Sequence, residues 1–213
     1  MKSITLIAMV TLFTGVVTGQ APPDIKLNTP DMERGLTIMK AFGKRASATS
    51  FSPRELSLQD LSDLLWASNG VNRPESGKRT APTAVNAQDV DIYVLLKSGA
   101  YLYDHKTHSL KGIDSGDNRK LVSDRQTNFA GAPVMLVLVS DISRFRGDDN
   151  ARKLSWAAMD AGIVSQNVSL FCAGTGMVTR PRASMDTEGL KKLLNLTATQ
   201  YPLLNNPVGY PNE

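Results

Sequence analysis

Two histidines and one cysteine in 213 residues leave little material for metal or thiol chemistry. The single Cys172 cannot form an internal disulfide, so core packing alone must hold the chain together. It sits in the apolar run Ser169-Leu170-Phe171-Cys172-Ala173, where a cysteine reads as a small buried hydrophobe and not as a nucleophile. His105 and His108 lie in a polar, turn-like stretch with Asp104 as the nearby carboxylate and no cysteine, so no metal centre is expected. Charge of one sign is scarce as well: 24 Lys and Arg stand against 20 Asp and Glu, for a net +4, and the basic residues are scattered. That balance argues against nucleic acid as a partner and weakly favours an anionic ligand.

Long apolar runs are confined to the first residues. Met1-Lys2, the stretch Ile4 to Val17, and then Thr18-Gly19-Gln20-Ala21 have the order of a cleaved export signal. Its apolar part is shorter than the roughly 20 residues of a spanning helix. The expectation is a signal over residues 1–21 and an exported, periplasmic protein, with no stable membrane insertion once the signal is removed; the alternative for the same residues is an uncleaved anchor. About 190 residues then remain, the size of one domain with a substantial core. Residues 22–30, rich in Pro and Asp and aperiodic, suit an extended arm before a domain at 31–213.

Periodicity gives an α+β chain. Met32, Leu36, Met39 and Phe42 fall at helical intervals within Asp31 to Gly43. Ser57 with Asp60 three residues on forms a helix start, and Leu58, Leu61, Leu64 and Leu65 mark its buried stripe up to Gly70. Val90 to Leu96, Ala100 to Asp104 and Ser109 to Ile113 read as strands, the first two joined as a hairpin at Ser98-Gly99. A short polar helix is expected over Asp117 to Asp124. Pro133 to Ser140 is the strongest strand, and its unbroken apolar run places it centrally with both faces buried. The longest helix spans Asp148 to Gly174, rich in small residues. A strand at Gly176 to Thr179, a helix at Thr187 to Leu194 and an extended stretch at Tyr201 to Gly209 complete the chain.

Three segments carry candidate chemistry. Arg45, Ser47 and Thr49 alternate, so an extended backbone aims them to one side, and a guanidinium with two hydroxyls suits a phosphate. Taken alone, the same stretch is also an ordinary basic loop. Pro82-Thr83-Ala84-Val85-Asn86-Ala87-Gln88 sets small residues around an amide, which suits contact with a planar heteroaromatic ring. A short connecting helix would use the same residues. Arg182-Ala183-Ser184 follows Gly176 at the end of the long helix, and a fixed cation at Arg182 would stabilise the negative charge that a flavin gains on reduction.

Taken together, these segments resemble the nitroreductase family, with a flavour of its azoline-oxidising dehydrogenase branch. Arg45, Ser47 and Phe51 match its Arg-x-Ser-x-Arg-x-Phe pattern. Pro82, Thr83, Asn86 and Gln88 match Pro-Ser-x-x-Asn-x-Gln. Asp160-Ala161-Gly162 with Gln166-Asn167, and Val208-Gly209-Tyr210-Pro211, match two further motifs. Thr49 departs from the pattern, which usually has a second Arg or Lys there. The basic residues that many members carry beyond Gly-Tyr-Pro and the Lys-Tyr pair of the azoline-oxidising branch are also missing.

The resemblance implies a mostly antiparallel sheet flanked by helices, an intertwined homodimer, and FMN at the subunit interface. Arg45, Ser47, Thr49, Arg182, Ala183 and Ser184 would come from one subunit, and Pro82, Thr83, Ala84 and Asn86 from the other. It further implies ping-pong electron transfer from a donor, NAD(P)H by family expectation, to a nitro, quinone or other small acceptor, with no catalytic side chain required. The alternatives are an exported flavin carrier or sensor without turnover, and a partner-binding protein that has lost its cofactor.

Overall fold

The computed structural model describes residues 20–212. The signal expected at 1–21 lies outside these, apart from Gln20 and Ala21. Among the described residues no helix is long and apolar enough to cross a membrane. The chain runs β1 (Ile25–Lys26), α1 (Ile38–Lys44), α2 (Leu58–Asn69), a ribbon of β2 (Val71–Arg73) and β3 (Lys78–Arg79), and a 3-10 turn (Ala84–Asn86). Next come β4 (Val90–Leu96), β5 (Gly99–Asp104), β6 (Ser109–Ser115), α3 (Lys120–Ser123) and a second 3-10 turn (Thr127–Phe129). The chain ends with β7 (Val134–Asp141), a third 3-10 turn (Ile142–Arg144), α4 (Asn150–Thr175), β8 (Val178–Thr179), α5 (Thr187–Leu193) and β9 (Gln200–Gly209).

Seven strands form one antiparallel sheet in the order β1-β6-β5-β4-β7-β9-β8. Strand β7 shows why it is layered on both sides. Val134, Leu136 and Leu138 face a core shared with Leu61, Leu64 and Leu65 of α2 and Ala161, Val164 and Val168 of α4. The alternate residues Met135, Val137 and Val139 face Val122 of α3, Phe129 and Leu190 of α5. Side chains alternate across a strand, so a continuous apolar run is what burial of both faces requires.

The arm at 22–30 is extended and packed. Strand β1 pairs with β6, Leu27 is buried, and the Asn28 amide donates to Ser62 Oγ at 2.9 Å. Its Pro22 lies so close to Gly112 that a Cβ there would meet the Pro22 carbonyl at 1.8 Å.

Three expectations change. The helix placed over Asp31 to Gly43 is only Ile38–Lys44. Upstream, Arg34 is held by ion pairs to Asp60 and Asp63, Gly35 takes φ +97°, and the Leu36 amide donates to the Gly174 carbonyl, so tertiary bonds replace the first helical turns. Met32, Leu36, Met39 and Phe42 are exposed. Leu58, assigned to the buried stripe of α2, is exposed too, because it occupies the first turn. The polar helix expected over Asp117 to Asp124 is one turn, and the β2–β3 ribbon was not foreseen.

Candidate functional site

Arg45 ends α1, and the chain then runs alongside β8 through a parallel bridge between Ser47 and Thr179 and a hydrogen bond from the Ala48 amide to the Thr179 carbonyl at 2.9 Å. Ala48 packs inward, while Arg45, Ser47 and Thr49 are exposed. Among the described residues none of these three side chains makes a hydrogen bond or ion pair within the chain, so one guanidinium and two hydroxyls stand unused on one strip. Phe51 is buried edge-on against Phe129 and anchors the end of the strip. Arg180 lies alongside, its Nη1 reaching the Ala48 carbonyl at 3.5 Å.

Arg182 is turned inward. Nε donates to Gln126 Oε1 at 2.9 Å, Nη1 to the Val122 carbonyl and Asn205 Oδ1 at 3.0 Å each, and Nη2 to the Ser123 carbonyl at 3.2 Å. The guanidinium also stacks over Phe129 at 4.7 Å, and its backbone exchanges two hydrogen bonds with Asn205. Burial, with Arg180 nearby, lowers its basicity. The cation that the sequence offered to a flavin is therefore spent on tying the α3 loop to β9. Ala183 and Ser184 beside it are exposed, and neither of their backbone N–H groups has a partner among the described residues. Asn205, which the sequence reading missed, also holds the Ser184 carbonyl through Nδ2 at 3.0 Å.

The segment at 82–88 forms a tight turn and not a regular helix. Val85, Asn86 and Gln88 have φ of 48°, 55° and 49°, a left-handed geometry that is strained for β-branched valine. Side chains hold it from both ends: the Gln88 amide donates to Thr83 Oγ1 at 2.8 Å, and the Ala84 amide donates to both Asp160 carboxyl oxygens at 3.1 and 2.9 Å. Asp160 is buried and lies against the buried Asp89 carboxyl, whose Oδ2 accepts from Ser140 Oγ and whose Oδ1 has no donor from any other group. A buried carboxylate beside a second one is disfavoured in its charged form. Burial first, then Asp89, pushes Asp160 up to about 7. Asp160 stood in a sequence motif without a task; a lone acid between Met159 and Ala161 on an apolar helix was its signal.

The turn and the Arg45 strip lie at different stations along α4. Asp160 holds the turn, whereas β8 and its neighbour strip follow Thr175, about 22 Å further along at 1.5 Å per residue. The structure thus brings the Arg45 and Ala183 segments together and leaves Pro82 to Asn86 apart from them in the same chain. Beside the turn opens a cleft of about 490 Å³, walled by Val85, Asn86, Arg144, Arg146 and Trp156. Of these, only Val85 and Asn86 belong to a segment that the sequence reading had picked out. Met159 and Ile163 on α4, and Ile38, Met39 and Phe42 on α1, which packs against it, are exposed apolar side chains. Cys172 is buried, and burial raises its thiol pKa.

Comparison with known proteins agrees with this architecture. The pattern of the Nitroreductase family matches residues 43–210. A nitroreductase homologue from Methanocaldococcus jannaschii is 28% identical over 194 residues, covering 87% of this chain and 96% of its own. The crystal structure of a nitroreductase homologue from Ralstonia eutropha superposes with a TM-score of 0.81 at 29% identity, covering 94% of this chain and 97% of that one. A chain of the E. coli microcin synthetase complex shares the fold, with a TM-score of 0.71 at 19% identity over 80% of this chain and 70% of that one. The mostly antiparallel sheet between helical layers and the match over most of its length show that this chain belongs to the nitroreductase family.

Proposed function

We propose that this oxidoreductase uses FMN, acts as a homodimer, and passes electrons by a ping-pong route from a reduced donor to a nitro compound, quinone or other small organic acceptor. The observation that carries the reading is the unspent donor strip of Arg45, Ser47 and Thr49 beside the free amides of Ala183 and Ser184. Bound FMN would supply the redox chemistry. Arg45 with the two hydroxyls binds its phosphate, and Arg180 is the nearest cation to stand in for the basic residue that Thr49 replaces. The Ala183 and Ser184 amides donate to the ring, and Arg182 acts through them by fixing the segment. A second copy, docked over the exposed apolar surface of α1 and α4, would bring Pro82, Thr83, Ala84 and Asn86 to the same ring and exclude water from it.

NAD(P)H is the donor to test first. The signal-like sequence of residues 1–21 is what supports a periplasmic location, where reduced nicotinamides are scarce, so a different physiological donor fits that compartment. The unassigned donor favours one rival, an exported flavin carrier without turnover. The deciding experiment incubates purified protein with FMN, records the visible spectrum and mass, and then measures turnover with NADH and with an artificial donor against a nitroaromatic and a quinone. A yellow dimer that turns over is expected. Bound flavin without turnover moves the reading to the carrier, and a protein that stays colourless sinks both.

A further inference from the structure

A second cleft, of about 310 Å³, lies between the β2–β3 ribbon, the tip of the β5–β6 hairpin and the 3-10 turn before α4; its charged and polar lining is Arg79, Gln88, Asp91, His105, Lys106 and Arg144. Arg79 is its unusual member. Only 6% of it is exposed, yet among the described residues it forms no ion pair with a carboxylate. Its Nη1 donates to the Val90 carbonyl at 2.9 Å, its Nη2 to the ring Nε2 of His105 at 3.0 Å, and its Nε has no partner. Burying a cation without a counter-ion is costly unless something supplies one, and burial indeed lowers the basicity of Arg79.

The surrounding charges sharpen the deficit. Asp91 is the one carboxylate in the lining, and it is taken by Arg144 through both oxygens. Arg144 also draws on Asp141 at 3.7 Å. Asp89, close enough to act on Arg79 through space, is buried against Ser140 and Asp160. Lys106 is exposed, and its ammonium makes no bond among the described residues. His105 accepts from Arg79 and so is neutral; burial, then Arg79, pushes it down to about 4. Within the lining three cations therefore stand against one committed carboxylate, with Asp89, Asp104 and Asp141 acting from outside it.

We propose that this cleft binds a phosphate-class oxyanion, with Arg79 and Lys106 as its receptors and Arg144 as its wall. Charge-assisted bonds to an oxyanion would supply the missing counter-ion and occupy donors that the chain leaves idle. The cleft shares Ala87 and Arg144 with the one beside Trp156. Where the flavin reading above holds, the anion is thus the charged tail of a substrate that reaches the turn at Val85 and Asn86; the anion site itself does not depend on that reading.

The test uses the full chain without added flavin. Inorganic phosphate is titrated against chloride at equal ionic strength, following the melting temperature and the His105 ring signals by NMR. Phosphate is expected to raise the melting temperature saturably and to raise the His105 pKa by about one unit, as an anion beside an imidazole does. Lys106→Glu, an exposed change that leaves the core intact, is expected to abolish the His105 response and the part of the thermal shift that the Arg45 strip does not supply. Arg79→Gln should do the same if it folds. Phosphate that leaves His105 no different from chloride overturns the proposal, and so does a His105 response that survives in Lys106→Glu. A parallel titration with nicotinamide mononucleotide separates sources: binding more than tenfold tighter than inorganic phosphate assigns the site to a nucleotide's phosphate, and equal binding assigns it to the free oxyanion.

Discussion

Arg45 and Arg182 are the same residue type in two neighbouring segments, and the structure gives them opposite tasks. Arg182 is buried, with four donated bonds inside the chain, while Arg45 is exposed and donates none. A guanidinium whose donors are consumed stabilises the scaffold, and one whose donors are idle is available to a ligand. The difference separates what holds the site from what fills it.

The largest effect should come from breaking the scaffold side. Arg182→Ala strands Asn205, Gln126 and two buried carbonyls, and should cost about 3 kcal/mol or more in urea unfolding. An unchanged unfolding midpoint would erase the contrast. Arg45→Ala should do the reverse: apoprotein stability within about 0.5 kcal/mol of the parent, but FMN affinity lower by roughly 10- to 100-fold in a fluorescence titration, the value of a charged hydrogen-bonding group. Unchanged FMN retention would remove Arg45 from the phosphate site.

A third prediction concerns the turn that the second copy would present. The folded-state pKa of Asp160 lies above its unfolded value, so its contribution to stability is fully present below about pH 4 and is lost as pH rises through about 7. Asp117, hydrogen-bonded by Arg119, has a lowered pKa and acts oppositely, losing its contribution as pH falls below the usual carboxylate range. Melting temperatures should therefore peak on the acid side of neutrality. In Asp160→Asn, whose amide mimics the protonated acid beside Asp89 and accepts from the Ala84 amide, the decline between about pH 4 and pH 7 should vanish. A decline that persists in this variant would assign it to other groups. The smallest effect sharpens the comparison from the ligand side: Thr49→Arg places a second idle guanidinium on the strip and should tighten FMN binding several-fold, by about 1 kcal/mol. No gain would mean that the strip does not face the phosphate.

Legibility followed the range of the forces. Strand β7, helix α4 and the Ser57 start of α2 were readable because two-sided burial, helical spacing and a local cap leave periodic or nearest-neighbour traces. The α1 region misled because Arg34 and Gly35 answer to Asp60, Asp63 and Gly174, partners remote in sequence. At the site, Arg45, Ser47 and Thr49 stood out by alternation. The inward turn of Arg182 depends on Asn205 and on carbonyls of the α3 loop, which no local pattern announces. Asp89 with Asp160, and Arg79 with His105, are pairs that only folding creates.

The sequence by itself determined the layered α+β architecture and the candidate segments, since apolar periodicity dictates what must be buried and a few side-chain types suit phosphate and ring recognition. The tertiary structure alone decided which arginine is free, which carboxyls are buried side by side and which cation lacks a carboxylate partner. Those properties belong to the distances between groups far apart in the chain, and burial raises the cost of leaving any of them unmatched.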